Sequence, residues 1–152
     1  MRRAAGSVAG DGVSRLSDIP VTVEAGSGNI VPLLHEIRHA LERLTRGEQG
    51  TVIDLCSLPL APGEDDRIEK ALGEGEIFAE LNALGPTTIR ETAFAGVWIV
   101  THRNADNEIV ARFIEVTRIP DILHAQLADM QRSVEAFAEK LNGNTADPGR
   151  LT

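Results

Sequence analysis

The chain of 152 residues has no tyrosine, one tryptophan and four phenylalanines. So few rings exclude a stacking platform for single-stranded nucleic acid, which needs exposed aromatics. A basic stripe is missing too. Fifteen Lys and Arg stand against 23 Asp and Glu, a formal net charge of −8. Phosphate backbones are bound by basic surfaces, so nucleic acid is not an expected partner. The same charge repels anionic membranes. A lone cysteine, Cys56, leaves no intramolecular disulfide framework and no self-contained cysteine metal site. Nothing in the sequence approaches the ~20 apolar residues of a membrane-spanning helix. Met1-Arg2-Arg3 is followed by a small, Gly-rich stretch, not by the apolar core of a signal peptide. These absences point to a soluble protein in a reducing, cytoplasmic setting.

What is present reads as one domain with loose ends. Residues 1–28 are rich in Gly, Ser and Ala and are expected to form a flexible arm, with at most an edge strand at Ile19–Val23. Residues 143–152 are expected to be a disordered tail, which leaves 29–142 as the folded part. Asn29 is placed to cap a helix running to Thr45, whose Ile30, Leu33, Leu34, Ile37, Leu41 and Leu44 fall at helical spacing. The near-continuous apolar run Thr51–Cys56 predicts a central strand. Pro62-Gly63-Glu64-Asp65 then leads into a short helix through about Leu72. Strands are expected at Glu76–Leu81, Thr87–Ala93, Val97–His102 and Glu108–Val116. The connections Phe94-Ala95-Gly96 and Asn104–Asn107 carry hairpin chemistry.

A last helix starts near Pro120. Its Leu123, Leu127, Met130, Val134, Phe137 and Leu141 alternate steps of four and three. This seam is expected to pack on the sheet, with a helix-to-helix contact between copies as the alternative. The resulting fold class is α+β: a mainly antiparallel sheet of about five strands, with two longer helices and one short helix packed mainly on one face.

The sharpest motif is HEIRH at His35–His39. On a helix the two histidines lie one turn apart and match a zinc-peptidase pattern, with Glu36 as general base. The apolar stripe, however, turns these three residues toward water. No third ligand follows at metzincin spacing. His35 and His39 are therefore read as surface residues, and a zinc-dependent hydrolase is kept only as an alternative. Cys56 is expected to be a buried structural thiol. Glu74, Glu76 and Glu91, with Arg90 beside them, form an acidic set better suited to a solvated face than to acid–base catalysis. Trp98 is either core or, if its face of the sheet is open, an anchor for a partner. Gly73-x-Gly75 lacks the Lys and following helix of a phosphate loop.

Four strings then assemble: GNIVPLLHEIRHALERL (Gly28–Leu44), TVIDLCSLPLAPGED (Thr51–Asp65), LGEGEIFAEL (Leu72–Leu81), and GPTTIRETAFAGVWIVTHRN with ARFIEVTRIPDIL. Over roughly Gly28–Leu141 the chain resembles the C-terminal region of the HupH/HyaF hydrogenase expression and formation proteins. The resemblance implies a non-enzymatic, cofactor-free accessory factor, chaperone-like, for the iron–sulfur small subunit of an uptake nickel–iron hydrogenase. It also implies a thioredoxin-like partner of the HyaE/HupG type. Members of the family are commonly longer, with an additional N-terminal half, and the resemblance brings no catalytic residues. Physical reasoning selects Glu74, Glu76, Arg90, Glu91, Trp98, His102 and Arg118 as the candidate partner surface: acidic groups for a basic client, Trp98 for apolar area. A structural adaptor that dimerises through the last helix is the remaining alternative.

Overall fold

The computed structural model describes Gly28 and residues 30–145, without the side chains of 144 and 145. The expected arm, its edge strand, the Asn29 cap and the end of the tail lie outside these residues. The chain divides after Thr117 into two compact units.

The first unit runs α1 (Ile30–Thr45), β1 (Thr51–Asp54), a 3-10 turn (Leu55–Ser57), α2 (Glu64–Leu72), β2 (Phe78–Asn82), β3 (Pro86–Glu91), β4 (Val97–Arg103) and β5 (Ile109–Val116). The strands form one antiparallel sheet in the order β1-β5-β4-β3-β2. The expected sequence of elements is therefore present. One placement differs: β1 is an edge strand, and the centre belongs to β4. Its apolar run misled because within the strand Val52 is exposed and Ile53 alone is buried, while Leu55 is buried from the turn that follows. The run then leaves the strand. The Asp54 carboxylate accepts the Cys56 N–H at 2.9 Å and caps the 3-10 turn. That turn swings Cys56 outward, so the thiol is exposed and not buried as expected.

Alternation sets the core. Ile53 of β1, Ile114 and Val116 of β5, and Val97 and Ile99 of β4 share one face. They pack against Ile30, Leu33, Ile37 and Ala40 of α1 and Ile68 and Leu72 of α2. Burying an aliphatic side chain of this size stabilises by about 1.5–3 kcal/mol, so the stripe of α1 is enough to hold that helix on the sheet. On the opposite face Ile89, Trp98 and Val100 are also buried.

Turns follow their residues. Asn107 takes φ 65 in the β4–β5 hairpin. The Asn104 side-chain oxygen accepts the N–H groups of Asp106 and Glu108 at 3.0 and 2.9 Å. Asn tolerates left-handed backbone and caps its own turn, as its type predicts.

The second unit contains a 3-10 turn (Asp121–Leu123) and α3 (Leu127–Thr145). Leu127, Met130, Val134, Phe137 and Leu141 are 47–70% exposed. The seam expected to be buried is exposed. No helix among the described residues is long and apolar enough to cross a membrane.

Candidate functional site

A groove of about 530 Å³ runs along α1 in the first unit. Its walls are Leu34, Ile37 and Leu41 of α1, Ala71 and Leu72 of α2, and Phe94 with Val97 at the β3–β4 turn. His35 and Arg38 are the polar groups in that wall. The groove exists because the apolar stripe of α1 is wider than the sheet can cover. Ile30, Leu33, Ile37 and Ala40 go into the core, while Leu34, Leu41 and Leu44 stay only partly buried beside it. Mostly apolar concavities with a few polar groups are the usual form of a binding site.

The β3–β4 turn closes one end of the groove. Thr92 is buried there, donates its N–H to the Val97 carbonyl at 3.0 Å and accepts the Phe94 N–H on its hydroxyl at 3.2 Å. Gly96 sits at φ 84, and a Cβ there would stand 3.2 Å from Leu41 Cδ1. The turn is thus pressed against α1. Next to it the chain leaves α2 through Gly73, at φ 68, into Glu74-Gly75-Glu76. Gly75 donates to the Glu91 carbonyl at 2.9 Å. A Cβ at Gly75 would clash with the Thr92 carbonyl oxygen. Only glycine lets this acidic turn lie so close to β3.

This packing brings four of the candidate residues together. Arg90 pairs with Glu74 at 3.2 Å and with Glu69 of α2 at 2.8 Å. The Glu91 carboxylate accepts the Glu76 N–H at 3.4 Å. Glu74 and Glu76 face solvent. Trp98 is not with them at the surface. It is 3% exposed, and its ring N–H donates to the Thr117 carbonyl at 3.0 Å. As a buried residue of the central strand β4 it is core, and the exposed-anchor reading loses its premise. His102 lies on the same face of β4, bonded to the Thr87 hydroxyl at 2.8 Å and edge-on to Phe113 at 5.8 Å between ring centroids. Arg118 is exposed, in the second unit.

His35, Glu36 and His39 are exposed, as the helical phase predicts. The two imidazoles lie 6.4 Å apart between ring centroids. Among the described residues no group of three or more His, Cys, Asp or Glu is placed to hold a metal ion.

One buried group was missed by reading the sequence. Arg112 of β5 is 8% exposed and points to the helix-covered face. It pairs with Asp65 at 2.9 Å and with Glu69 at 3.2 Å. Its Nε–H is not aligned on Glu69 and makes no hydrogen bond, so that contact is an ion pair only. Glu69 thus bridges Arg112 and Arg90, tying α2 to β5 and β3 at once. The available signal was positional: Arg112 is in phase with Ile114 and Val116.

The chain matches the family described as HupH hydrogenase expression protein, C-terminal conserved region, over residues 28–143. It belongs to that family. It is 34% identical over 91 residues to the hydrogenase expression/formation protein HoxQ of Azotobacter vinelandii, an alignment covering 60% of this chain and 31% of HoxQ. It is 29% identical over 109 residues to HupH of Rhizobium leguminosarum bv. viciae, covering 72% of this chain and 39% of that protein. The chain therefore spans roughly a third of the length of these curated relatives. Among solved structures, the hydrogenase expression protein HupH from Thiobacillus denitrificans superposes with a TM-score of 0.74 at 38% identity, covering 77% of this chain and 98% of that one. In the HupH region two of the strings that carried the resemblance now have physical content. LGEGE is the α2 exit and the acidic turn; IRETAFAGVW is β3, the Thr92 turn and the start of β4.

Proposed function

We propose that this protein is a non-catalytic accessory factor in hydrogenase maturation, and that it holds the iron–sulfur small subunit of an uptake nickel–iron hydrogenase before assembly. A thioredoxin-like accessory protein of the HyaE/HupG type acts beside it. Membership of the HupH family is the observation that carries this reading. The groove on α1 supports a holding role, because an apolar concavity can shelter an apolar client segment that has not yet found its place in the enzyme.

In this reading the groove supplies the apolar area that Trp98, being buried, does not supply. Glu74 and Glu76, two and four residues beyond the groove-lining Leu72, favour a client segment with basic flanks. Arg90 and Glu91 hold that turn in place. His102 and Arg118 stay in the proposed contact set as single-alanine tests.

The test is capture of the tagged small-subunit precursor by the purified full chain. Leu34→Glu, in the groove wall, is expected to weaken capture at least ~10-fold. Glu74→Lys with Glu76→Lys is expected to slow association and to reduce its dependence on salt. Failure of the unaltered chain to capture the small subunit, alone or with the thioredoxin-like protein added, sinks the proposal. Capture unaffected by Leu34→Glu moves the contact away from the groove.

A further inference from the structure

The seam of α3 has a spacing and a chemistry that the proposed client groove does not use. Leu127, Met130, Val134 and Phe137 step by three, four and three, and Leu141 continues the series. That is the 3.5-residue period of a two-helix seam, narrower than the stripe of a helix packed on a sheet. All of these side chains are exposed. Leu127 to Phe137 alone present roughly 500 Å² of apolar surface, near the upper limit for a patch on a stable monomer.

The residues beside the seam identify what covers it. Positions flanking a heptad seam choose partners through charge. Here they are Gln126, Gln131, Ser133 and Ala138, all uncharged, with Lys140 near the end. The acids Asp129, Glu135 and Glu139 lie away from the seam, and Asp129 is paired with Arg132. A chain of net charge −8 would ordinarily repel itself. With neutral flanks, two copies of this helix meet without opposing charges. The same flanks offer nothing to attract a charged partner helix selectively.

We infer that α3 is a self-association element, and that its occupant is α3 of a second copy of this chain. Two such seams bury about 1,000 Å² in all, the lower bound for a specific interface. The contact is therefore reversible and concentration-dependent.

Light scattering and sedimentation of the full chain from about 5 to about 200 µM test this directly. A rise from the mass of one chain toward that of two is expected. Val134→Glu with Phe137→Glu is expected to raise the dissociation constant at least ~100-fold, with helical circular dichroism unchanged, because it sets charges face to face in the seam. Glu139→Lys, on the far side of the helix, is expected to leave dimerisation intact. A chain that stays monomeric at the highest concentration overturns the inference. So does a dimer that survives the double substitution. If the chain is monomeric alone and captures the hydrogenase small subunit only with an unaltered seam, the seam belongs to a client and the inference is wrong. Because the unaltered chain is read by dilution alone, misfolding of a variant cannot mask the answer, and loss of client capture through Leu34→Glu leaves this measurement untouched.

Discussion

Helices α1 and α3 are both amphipathic and both regular, yet their apolar residues end in opposite places. In α1, Ile30, Leu33, Ile37 and Ala40 are buried. In α3, Leu127, Met130, Val134 and Phe137 are exposed. The difference lies in the width of the stripe. The apolar residues of α1 come at 30, 31, 33, 34, 37, 40, 41 and 44, a broad band that meets a sheet and still leaves a flank open as the groove. The large apolar side chains of α3 come at 127, 130, 134, 137 and 141, alternating steps of three and four, a line and not a band. A line suits another line; a band suits a sheet and a neighbouring helix together.

The largest way to break the comparison is to place a charge in the broad band. Ile37→Asp puts an unpaired carboxylate where a 4% exposed side chain sat. It is expected to cost more than about 4 kcal/mol and to abolish the cooperative thermal transition of the first unit. Val134→Asp in the line is expected to leave that transition where it is. Equal effects of the two would show that the stripes are not different in kind.

Next in size is the bridge that holds α2 on the sheet. Arg112→Ala leaves Glu69 with Arg90 as its cationic partner and takes from Asp65 its 2.9 Å ion pair. Loss of a fully buried pair costs about 3–5 kcal/mol, and here about 2–3 kcal/mol is expected because Asp65 keeps 43% of its side-chain surface in water. Urea unfolding measures it, and Arg112→Met is expected to recover part of the loss through packing. Gly75→Ala comes third, at about 1–2 kcal/mol, since the added carbon meets the Thr92 carbonyl and forces the acidic turn off β3. Its other expected readout is weaker client capture. Smallest is Phe137→Ala: within about 0.5 kcal/mol for dilute protein, where the ring is 70% exposed. A clear loss of stability in dilute solution would mean that Phe137 already has a partner within one chain.

Much of the fold was legible in the residues. Periodicity marks α1 from Ile30, the strands from Pro86 to Val116 and the hairpin at Asn104–Asn107, because those signals are local. Trp98 and Cys56 show where local reading stops. Both lie at or beside a strand, both have a plausible buried and a plausible exposed role, and alternation alone cannot say which face of a sheet is covered. The site was less legible still. Leu34 and Leu41 read as core from their spacing, and so they would in any helix. That they line an open groove depends on how far α2 and the Phe94 turn reach across α1. Arg112 could be placed on the inward face by counting, but its partners Asp65 and Glu69 lie more than forty residues away in sequence.

The sequence by itself determined the elements, their order, the outward phase of His35 and His39, and membership of the HupH family, because each rests on short-range patterns or on strings of residues in order. The tertiary structure alone decided that β1 is an edge, that Trp98 is buried, that Glu69 joins two arginines, and that α1 carries a groove while α3 carries an exposed seam. Those outcomes depend on which surfaces meet, and surfaces meet through contacts between distant residues that no local pattern encodes.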